Sequence, residues 1–402
     1  MTPSACPQPS SSRSSRVSLA LAGTCLALAV AAVATAAAPR HLTPERVALA
    51  ATWKAPQFVQ ADAAGRVLLL RSDTLEVYPL SPKGTLATPS KLERLPGDDE
   101  PFVREAAMSP DGDDWLLLDV AAGPRLFRAG KEVVAPELGW RPAAVALPRG
   151  QPMVAVFPVR AHEIKLAVRA DGKVVVDEKE SPPLLMGLAG SEWKPVAREE
   201  YAFASWRFPE ADTKMRLERG VRMAGDPKGG VWLADEYGYR LRRFSPAGQL
   251  RAELTVGSGK VAVVERSPAD VEHRLDEVAK STGRRMDAAS VRFTAARAVD
   301  GLTAGRDGRV YLLVETAGGK DKAHLAVDRF DPNAPSLERL ALLGLDAIAG
   351  RLSVASGRDG LYIAAFSGPG GVWRLSWEQL EEATWDRVPE AKVDGHPLPP
   401  AE

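Results

Sequence analysis

The sequence predicts an all-β fold, a β-propeller built from four-stranded antiparallel blades. Three observations predict it. A glycine-containing turn followed by a short apolar run recurs along the chain, a second glycine turn follows it at nearly constant spacing, and the 402 residues have an ordinary globular composition, 45% hydrophobic and 26% charged. Strands that recur in this way bury their apolar faces only when neighbouring units pack around an axis.

Residues 1–38 have the composition of an export leader. Arg13 and Arg16 are the only charges before an uncharged run of mostly Ala, Leu and Val at 17–38, which ends in small residues. A positive start, an apolar centre and an A-x-A end are the parts of a secretory signal, so we predict cleavage after Ala36 or Ala38. The alternative is an uncleaved N-terminal anchor, because the run is long enough to span a bilayer.

Both cysteines, Cys6 and Cys25, lie in this leader. Lipid modification of Cys25 is disfavoured, because Thr24 precedes it where a Gly or Ala is preferred. Once processed, the chain has no disulfide, no thiolate nucleophile and no cysteine-bound metal. We therefore expect a periplasmic or secreted protein, or one held at the inner membrane by residues 17–38, with a fold that its core alone stabilises.

The first turn of the repeat precedes apolar runs such as VLLL, VWLAD and LYIAAF. Gly after Asp, Lys or Arg in such turns accepts positive φ without steric cost, so these are hairpin turns between adjacent strands. The apolar runs are too short for buried helices and suit strands that are buried on both faces. The glycines of the six first turns are Gly65, Gly112, Gly150, Gly229, Gly308 and Gly360.

A second turn follows each of the first four, with an alternating strand between the two turns. Two turns in register predict a four-stranded meander: buried strand, alternating strand and flanking strands joined by tight turns. We predict six blades, with seven as the alternative, because two long gaps separate the third, fourth and fifth turns. The glycines of the second turns are Gly84, Gly130, Gly172 and Gly248.

The two long gaps differ in character. In the later gap, Ser267 is an N-cap candidate, Pro268 suits the first helical position and Gly283 can end a helix, so a helical insertion is predicted near 267–283. Residues 181–215 in the earlier gap indicate a long loop or an eroded blade.

The chain ends complete the predicted domain, a propeller over 39–387 followed by a proline-rich tail over 388–402 that lies on the surface. A short run at 47–54 is predicted to close the ring by joining the last blade, whose inner strands come from 353–375. Residues near 50 would then pair with residues near 385.

One unit, residues 225–250, resembles an NHL repeat, the unit of a large class of six-bladed propellers. Asp235 at the end of the second strand, Arg240 at the start of the third, and Phe244 and Gly248 at the end of the unit match the family pattern. The other units match more loosely. The resemblance implies a fold, and propellers carry many unrelated functions.

The family also includes lyases and lactonase-like enzymes that hold a divalent metal in the central channel. The histidines of this chain do not converge on such a site in the predicted fold, so no His-built zinc site and no cofactor are expected, while carboxylates on loops leave calcium open. The five are His41, His162, His273, His324 and His396.

The sequence lacks the features of several other function classes. The 52 basic residues balance 52 acidic ones, without a basic stripe, which disfavours nucleic acid as a partner. No phosphate-binding loop and no G-x-S-x-G motif occurs. We expect a monomer without a membrane span beyond the N-terminal run.

Residues 235–240 of the fourth unit are the candidate site. Asp235 and Arg240 are predicted to be structural, joined by a salt bridge between the second and third strands. Glu236, Tyr237 and Tyr239 offer aromatic and hydrogen-bonding contacts for a binding loop, and the alternative is that the tyrosine rings pack on the adjoining blade.

Two functions follow from these observations. The leading one is a binding or scaffold module that presents loops on one face of the ring to a protein, peptide or glycan. The alternative is a metal-dependent hydrolase or lyase with a carboxylate-held divalent metal at the channel mouth, for which catalytic residues are unknown.

Overall fold

The structure is a computed structural model whose chain divides into Met1–Pro39 and a compact unit, Arg40–Glu402. All observations below concern the second unit. The predicted all-β propeller is confirmed: six four-stranded antiparallel sheets are present, each a blade. The described residues are 39–47, 57–81, 83–96, 102–160, 167–168, 174–175, 183–198, 206–207, 214–215, 220–257, 263–265, 267–283, 288, 293–295, 298–316, 324–345, 352–365, 371–394 and 396–397.

Blades 1 to 3 follow one another along the first half of the chain, each with its strands in the order inner, second, third and outer. Blade 1 has Gln57–Ala61, Val67–Arg71, Glu76–Leu80 and Ser90–Lys91; blade 2 has Val103–Met108, Trp115–Asp119, Gly123–Arg128 and Lys131–Val133; blade 3 has Trp140–Ala146, Met153–Arg160, Pro183–Ala189 and Glu192–Arg198.

Blades 4 to 6 repeat this order, and the outer strand of blade 6 comes from the N-terminal end of the unit. Blade 4 has Val221–Gly225, Val231–Asp235, Arg240–Phe244 and Leu250–Val256; blade 5 has Val299–Ala304, Val310–Thr316, His324–Asp331 and Ser336–Leu342; blade 6 has Leu352–Ser356, Gly360–Ala365, Gly371–Ser376 and Glu45–Val47.

The glycine turns form the hairpins that the sequence predicts, and blade 4 shows why glycine is needed. Gly230 has φ +88° at the start of the second strand, and a Cβ there would overlap the carbonyl oxygen of Phe244 on the third strand. The strand that follows, Val231–Asp235, is buried over its first four residues. An apolar run without alternation is therefore a strand covered on both faces, because blades pack on each side of it.

The core lies between the blades. One cluster joins Trp232 and Leu241 of blade 4 to Leu312 and Phe330 of blade 5, with the Trp232 and Phe330 rings edge to face at 6.1 Å. The innermost strands contact one another in sequence from blade 1 to blade 6 and back to blade 1, and they line a central channel.

The N-terminal strand closes the ring, as predicted, but with a different register. Glu45–Val47 pairs antiparallel with 372–374 on the third strand of blade 6. The predicted pairing of residues near 50 with residues near 385 is wrong in position, because the third strand itself ends at Ser376 and helix α2, Trp377–Glu382, follows it. Most of the run 47–54 lies outside the described residues.

The structure of blade 3 differs from the prediction for the earlier gap, between Gly150 and Gly229. The run around Gly172 is not the second turn of this blade: Ala167–Val168 and Val174–Val175 form a separate hairpin between its second and third strands. The third and outer strands come instead from 183–198 and turn at Gly190, where φ is +65°. The apolar run PLLMGLA is buried in its first five residues and lacks the alternation of the other third strands, which hid it in the sequence.

Two further segments are inserted between blades 3 and 5. The predicted helix is confirmed as α1, Pro268–Thr282, with the Ser267 hydroxyl accepting a hydrogen bond from the Asp270 N–H and Gly283 in the left-handed conformation at its end. It stands between the paired strands Val263–Glu265 and Phe293–Ala295. A short hairpin, Trp206–Arg207 with Lys214–Met215, precedes blade 4.

Both ends of the unit add edge strands to outer strands of the propeller. Asp386–Arg387 pairs with the outer strand of blade 5, and Ala391–Val393 pairs with that of blade 4, followed by His396–Pro397. His41–Leu42 lies parallel to the outer strand of blade 5. The predicted tail, 388–402, thus continues the sheet of blade 4 through its described strands.

The part of the chain described by the structure contains no helix that is long and apolar enough to cross a membrane. The predicted leader lies outside the described residues. The NHL resemblance of 225–250 stays a prediction, since the architecture it implies is present but does not identify the repeat type.

Candidate functional site

The antiparallel order of the blades divides their connections between two faces. Connections from second to third strand, and from one blade to the next, begin and end at one face, which we call the upper face. Connections from first to second strand, and from third to outer strand, lie at the opposite, lower face. The three longest connections, 161–182, 199–220 and 257–298, all begin and end at the upper face of blades 3 to 5.

The upper half of the channel holds a buried ion cluster. Arg222, on the innermost strand of blade 4, donates through Nη1 to Oε1 of Glu105 at 2.9 Å, and its Nη2 lies 3.0 Å from Oε1 of Glu236. Glu105 belongs to the innermost strand of blade 2, with blade 3 between them. These two side chains can meet only in front of blade 3, that is, in the channel. We call Glu105, Arg222 and Glu236 the channel triad.

Glu236 is positioned by backbone contacts on both sides. Its N–H donates to the carbonyl of Gly220, and its carbonyl accepts from the N–H groups of Ala298 and Val299 at the start of blade 5. A Cβ on Gly220 would overlap the Glu236 side chain, so glycine there lets the carboxylate lie against the backbone. The buried Asp300 follows in the innermost strand of blade 5.

Burial of the three charged side chains costs free energy and fixes their positions. The side chains of Arg222, Glu236 and Glu105 are 6%, 3% and 12% exposed. Buried charges persist only when they are paired, and the triad alone carries one more negative than positive charge. Nη2 of Arg222 is engaged by the Glu236 carboxylate, whereas Nε has no hydrogen-bond partner among the described residues, so the guanidinium still offers the Nε–H as a donor.

The predicted binding loop is divided between channel and blade interface. Glu236 joins the triad, whereas Tyr239 is buried and its hydroxyl donates to Oδ2 of Asp328 in blade 5 at 2.6 Å. Burial, with the Asp328 carboxylate beside it, raises the pKa of Tyr239 well above its ordinary value. Tyr239 thus packs on the adjoining blade, the alternative that the sequence left open, and Tyr237 is half-buried in the same loop.

Asp328 is itself held inside blade 5. It accepts from Nε and Nη2 of Arg339 on the outer strand, both at 2.7 Å. A fully buried carboxylate with three donors is satisfied, so this group stabilises the boundary between blades 4 and 5.

The residues predicted to be structural make contacts within blade 4. Asp235 accepts from Nη2 of Arg242 at 2.9 Å, and Arg240 donates to Oε2 of Glu253 at 2.9 Å. These pairs connect the third strand to both of its neighbours. A direct pair between Asp235 and Arg240 stays a prediction.

Blade 2 has an equivalent pair of a carboxylate and an arginine, at matching positions of its second and third strands. Arg125 on its third strand lies 3.4 Å from Asp119 on the second strand and donates twice to Glu132 on the outer strand, at 2.7 and 2.8 Å. The pair of a carboxylate on the second strand and an arginine on the third strand thus recurs in two blades. This recurrence favours a structural role for Asp235.

The predicted histidines are spread over the fold. His41 is exposed on the edge strand of blade 5, His273 is exposed on α1, His324 opens the third strand of blade 5 and His396 is in the C-terminal edge strand. His162 lies outside the described residues. Among the residues that the structure describes, no three His, Cys, Asp or Glu side chains are grouped as a metal site would need.

The lower end of the channel is covered by the first-to-second-strand turns. The Ala63 N–H of blade 1 donates to Pro110 of blade 2, and the Arg358 N–H of blade 6 donates to Gly65 of blade 1. Arg306 of blade 5 reaches Ala64 with Nη1 at 3.3 Å, passing over blade 6. The channel is thus narrowed at its lower end.

Comparisons with known proteins give likenesses at low identity. No family model matches the sequence, and no curated protein matches it significantly. Among solved structures, a streptogramin B lyase is 11% identical over 83% of this chain and 97% of its own, with a TM-score of 0.43. A gluconolactonase from Xanthomonas campestris is 14% identical over 84% and 96%, with a TM-score of 0.42.

A β-propeller domain from Myceliophteria thermophila is 13% identical over 83% of this chain and all of its own, with a TM-score of 0.39. Likenesses of this degree carry no argument about activity or ligand.

Proposed function

We propose that this protein is an exported ligand-binding propeller whose site is the upper mouth of the channel, where it recognises a protein, peptide or glycan. The observation that carries the proposal is the channel triad: a buried arginine and a carboxylate from two innermost strands, a second carboxylate from the loop 236–239, and the Arg222 Nε–H donor left over. Such a set is costly to bury and contributes hydrogen-bond donors and acceptors to any group that enters the mouth.

The surroundings of the triad support this location. The loop 236–239 places the half-buried Tyr237 beside Glu236, and aromatic rings next to hydrogen-bonding groups are frequent at binding surfaces. The three longest connections begin and end on the same face, and long connections on a rigid scaffold are where binding residues concentrate. The predicted leader accounts for export, and its composition is the support for a periplasmic or secreted location.

The test is a binding screen with a matched pair of variants. Glu105→Gln removes one charge from the triad while keeping the shape of the side chain, and Glu192→Gln makes the same change at an exposed hairpin of the lower face. Peptide and glycan arrays should give ligands that the wild-type protein and Glu192→Gln bind equally and Glu105→Gln binds at least about tenfold more weakly. Equal loss in both variants, with unchanged melting temperatures, would overturn the assignment.

The metal-dependent alternative is separated by elemental analysis of the purified protein. Stoichiometric calcium or zinc, lost together with hydrolase activity on chelation, would replace the binding proposal with an enzymatic one.

A further inference from the structure

The lower face carries an arc of unpaired positive charge. In blades 3 to 6, the turn between the first and second strands exposes one cationic side chain per blade: Arg149, Lys228, Arg306 and Arg358. We call these four residues the cationic arc. No acidic side chain forms an ion pair with any of them among the described residues.

The acidic residues of these turns are engaged by their own blades. In blade 4 the buried Asp226 is paired with Arg243 on the third strand. In blade 5, Asp307 accepts from the Tyr311 hydroxyl at 2.7 Å and lies 3.6 Å from Arg309. The turn of blade 3 contains no acidic residue.

Blade 6 follows the same rule. Asp359 accepts from the Tyr362 hydroxyl at 3.0 Å and from Nη1 of Arg374 at 2.9 Å. Blades 4, 5 and 6 therefore engage the carboxylates of their turns from within, and the exposed cations Lys228, Arg306 and Arg358 have no ion pair among the described residues. Blade 2 ends the arc, because its turn exposes Asp111 and Asp113 instead.

Three of the four cationic residues border the turns of neighbouring blades. An added Cβ on Gly65 would lie 2.9 Å from Nη1 of Arg306 and 2.7 Å from the backbone N of Arg358, so both residues border the blade 1 turn. On the other side, Nε of Arg149 would lie 3.6 Å from a Cβ on Gly229, the residue next to Lys228. The turns of blades 3 and 4 therefore adjoin, as do the turns of blades 5, 6 and 1.

We propose that the cationic arc binds a compact multivalent oxyanion, a molecule that carries two or more phosphate groups, at the lower mouth of the channel. Guanidinium groups match phosphate oxygens with paired N–H donors, and several cations around one point favour a ligand with several negative charges. This site is separate from the triad, which lies at the upper end of the channel and has an excess of negative charge.

The surrounding charges favour a discrete ligand over a flat anionic surface. Helix α2 follows the third strand of blade 6 toward the rim of the lower face and exposes Glu378, Glu381 and Glu382. A planar surface would bring its anions against these glutamates, whereas a compact molecule at the axis contacts the arc alone. Phosphate groups could be free in solution or belong to a lipid, and the test separates these sources.

The test uses the full chain. The arc variant is Arg149→Gln, Lys228→Gln, Arg306→Gln and Arg358→Gln combined. The control combines the same change at four exposed cations of outer and edge strands: Lys131, Arg251, Arg387 and Lys392. Inorganic tripolyphosphate is titrated calorimetrically, and vesicles of phosphatidylcholine with or without phosphatidylglycerol are tested by co-sedimentation.

We expect tripolyphosphate to bind the wild-type protein and the control variant alike, with an affinity that falls as salt is added. Each cation contributes up to about fivefold in affinity, so the arc variant should lose up to roughly 600-fold in affinity. Failure of the wild-type protein to bind tripolyphosphate, or equal loss in the control variant, would refute the site. Binding to phosphatidylglycerol vesicles without binding to tripolyphosphate would refute a compact ligand in favour of a membrane surface.

Discussion

Removal of the Arg222 guanidinium tests the energetics of the channel triad. Arg222→Met keeps an unbranched stem of similar length and leaves Glu105 and Glu236 without their shared cation. Breaking a buried ion pair by removing one partner costs about 3–5 kcal/mol, because the remaining charge stays buried. Since Arg222 is 6% exposed and Glu236 is 3% exposed, the full range applies here.

Urea unfolding followed by tryptophan fluorescence measures this cost, and the chain has nine tryptophans as probes. Arg251→Met is the matched control, because Arg251 is exposed on the outer strand of blade 4, and a surface change of this kind stays within about 0.5 kcal/mol. Combining Arg222→Met with Glu105→Gln and Glu236→Gln also removes the two negative charges that Arg222 balanced and should recover a large part of the loss.

A deficit below about 1 kcal/mol at neutral pH in Arg222→Met, or an equal deficit in Arg251→Met, would contradict a triad of buried, mutually dependent charges.

Two other predictions concern the repeat. Gly230→Ala should destabilise the fold by several kcal/mol, since a Cβ at φ +88° would overlap the Phe244 carbonyl, whereas Gly123→Ala, at φ +83° with open space, should cost only about 1 kcal/mol in urea unfolding; equal costs would contradict the steric argument. Burial and the Asp359 carboxylate raise the pKa of Tyr362 from 10.0 to about 12, so stability from this tyrosine is complete below pH 10 and is lost between pH 10 and 12. Alkaline unfolding of Tyr362→Phe should show a smaller loss in that interval, and an unchanged profile would argue against the bond.

The repeat was readable from the sequence because its turns need glycine. Gly65, Gly112 and Gly229 have positive φ and sit before buried apolar strands, so two local requirements coincide at each unit. Helix α1 was equally local, since Ser267 and Gly283 cap it with their own backbone neighbours.

Blade 3 and the closure of the ring were harder to read for a physical reason. The third strand of blade 3 is apolar through five successive buried residues and follows a separate hairpin, so neither alternation nor turn spacing identifies it. Glu45–Val47 is only three residues long, and its register depends on the third strand of blade 6, far away in the chain.

Of the site, the sequence identified Glu236 but not its partners. Arg222 and Glu105 lie in unremarkable strands and meet only because the innermost strands of blades 2 and 4 both flank that of blade 3 in the channel, a relation that no local pattern encodes. Tyr239 matched the pattern of a binding loop, yet its hydroxyl is used within the fold by Asp328, which lies in another blade.

The central claim is that ligand enters the upper mouth of the channel. Amide hydrogen exchange of the complex with an array-identified peptide or glycan tests this most directly, because it reports on each segment separately. The account predicts added protection at 220–222, 236–239 and 298–300, with no change in the lower turns 226–230 and 305–309. Protection confined to those lower turns, with none at 236–239, would contradict it.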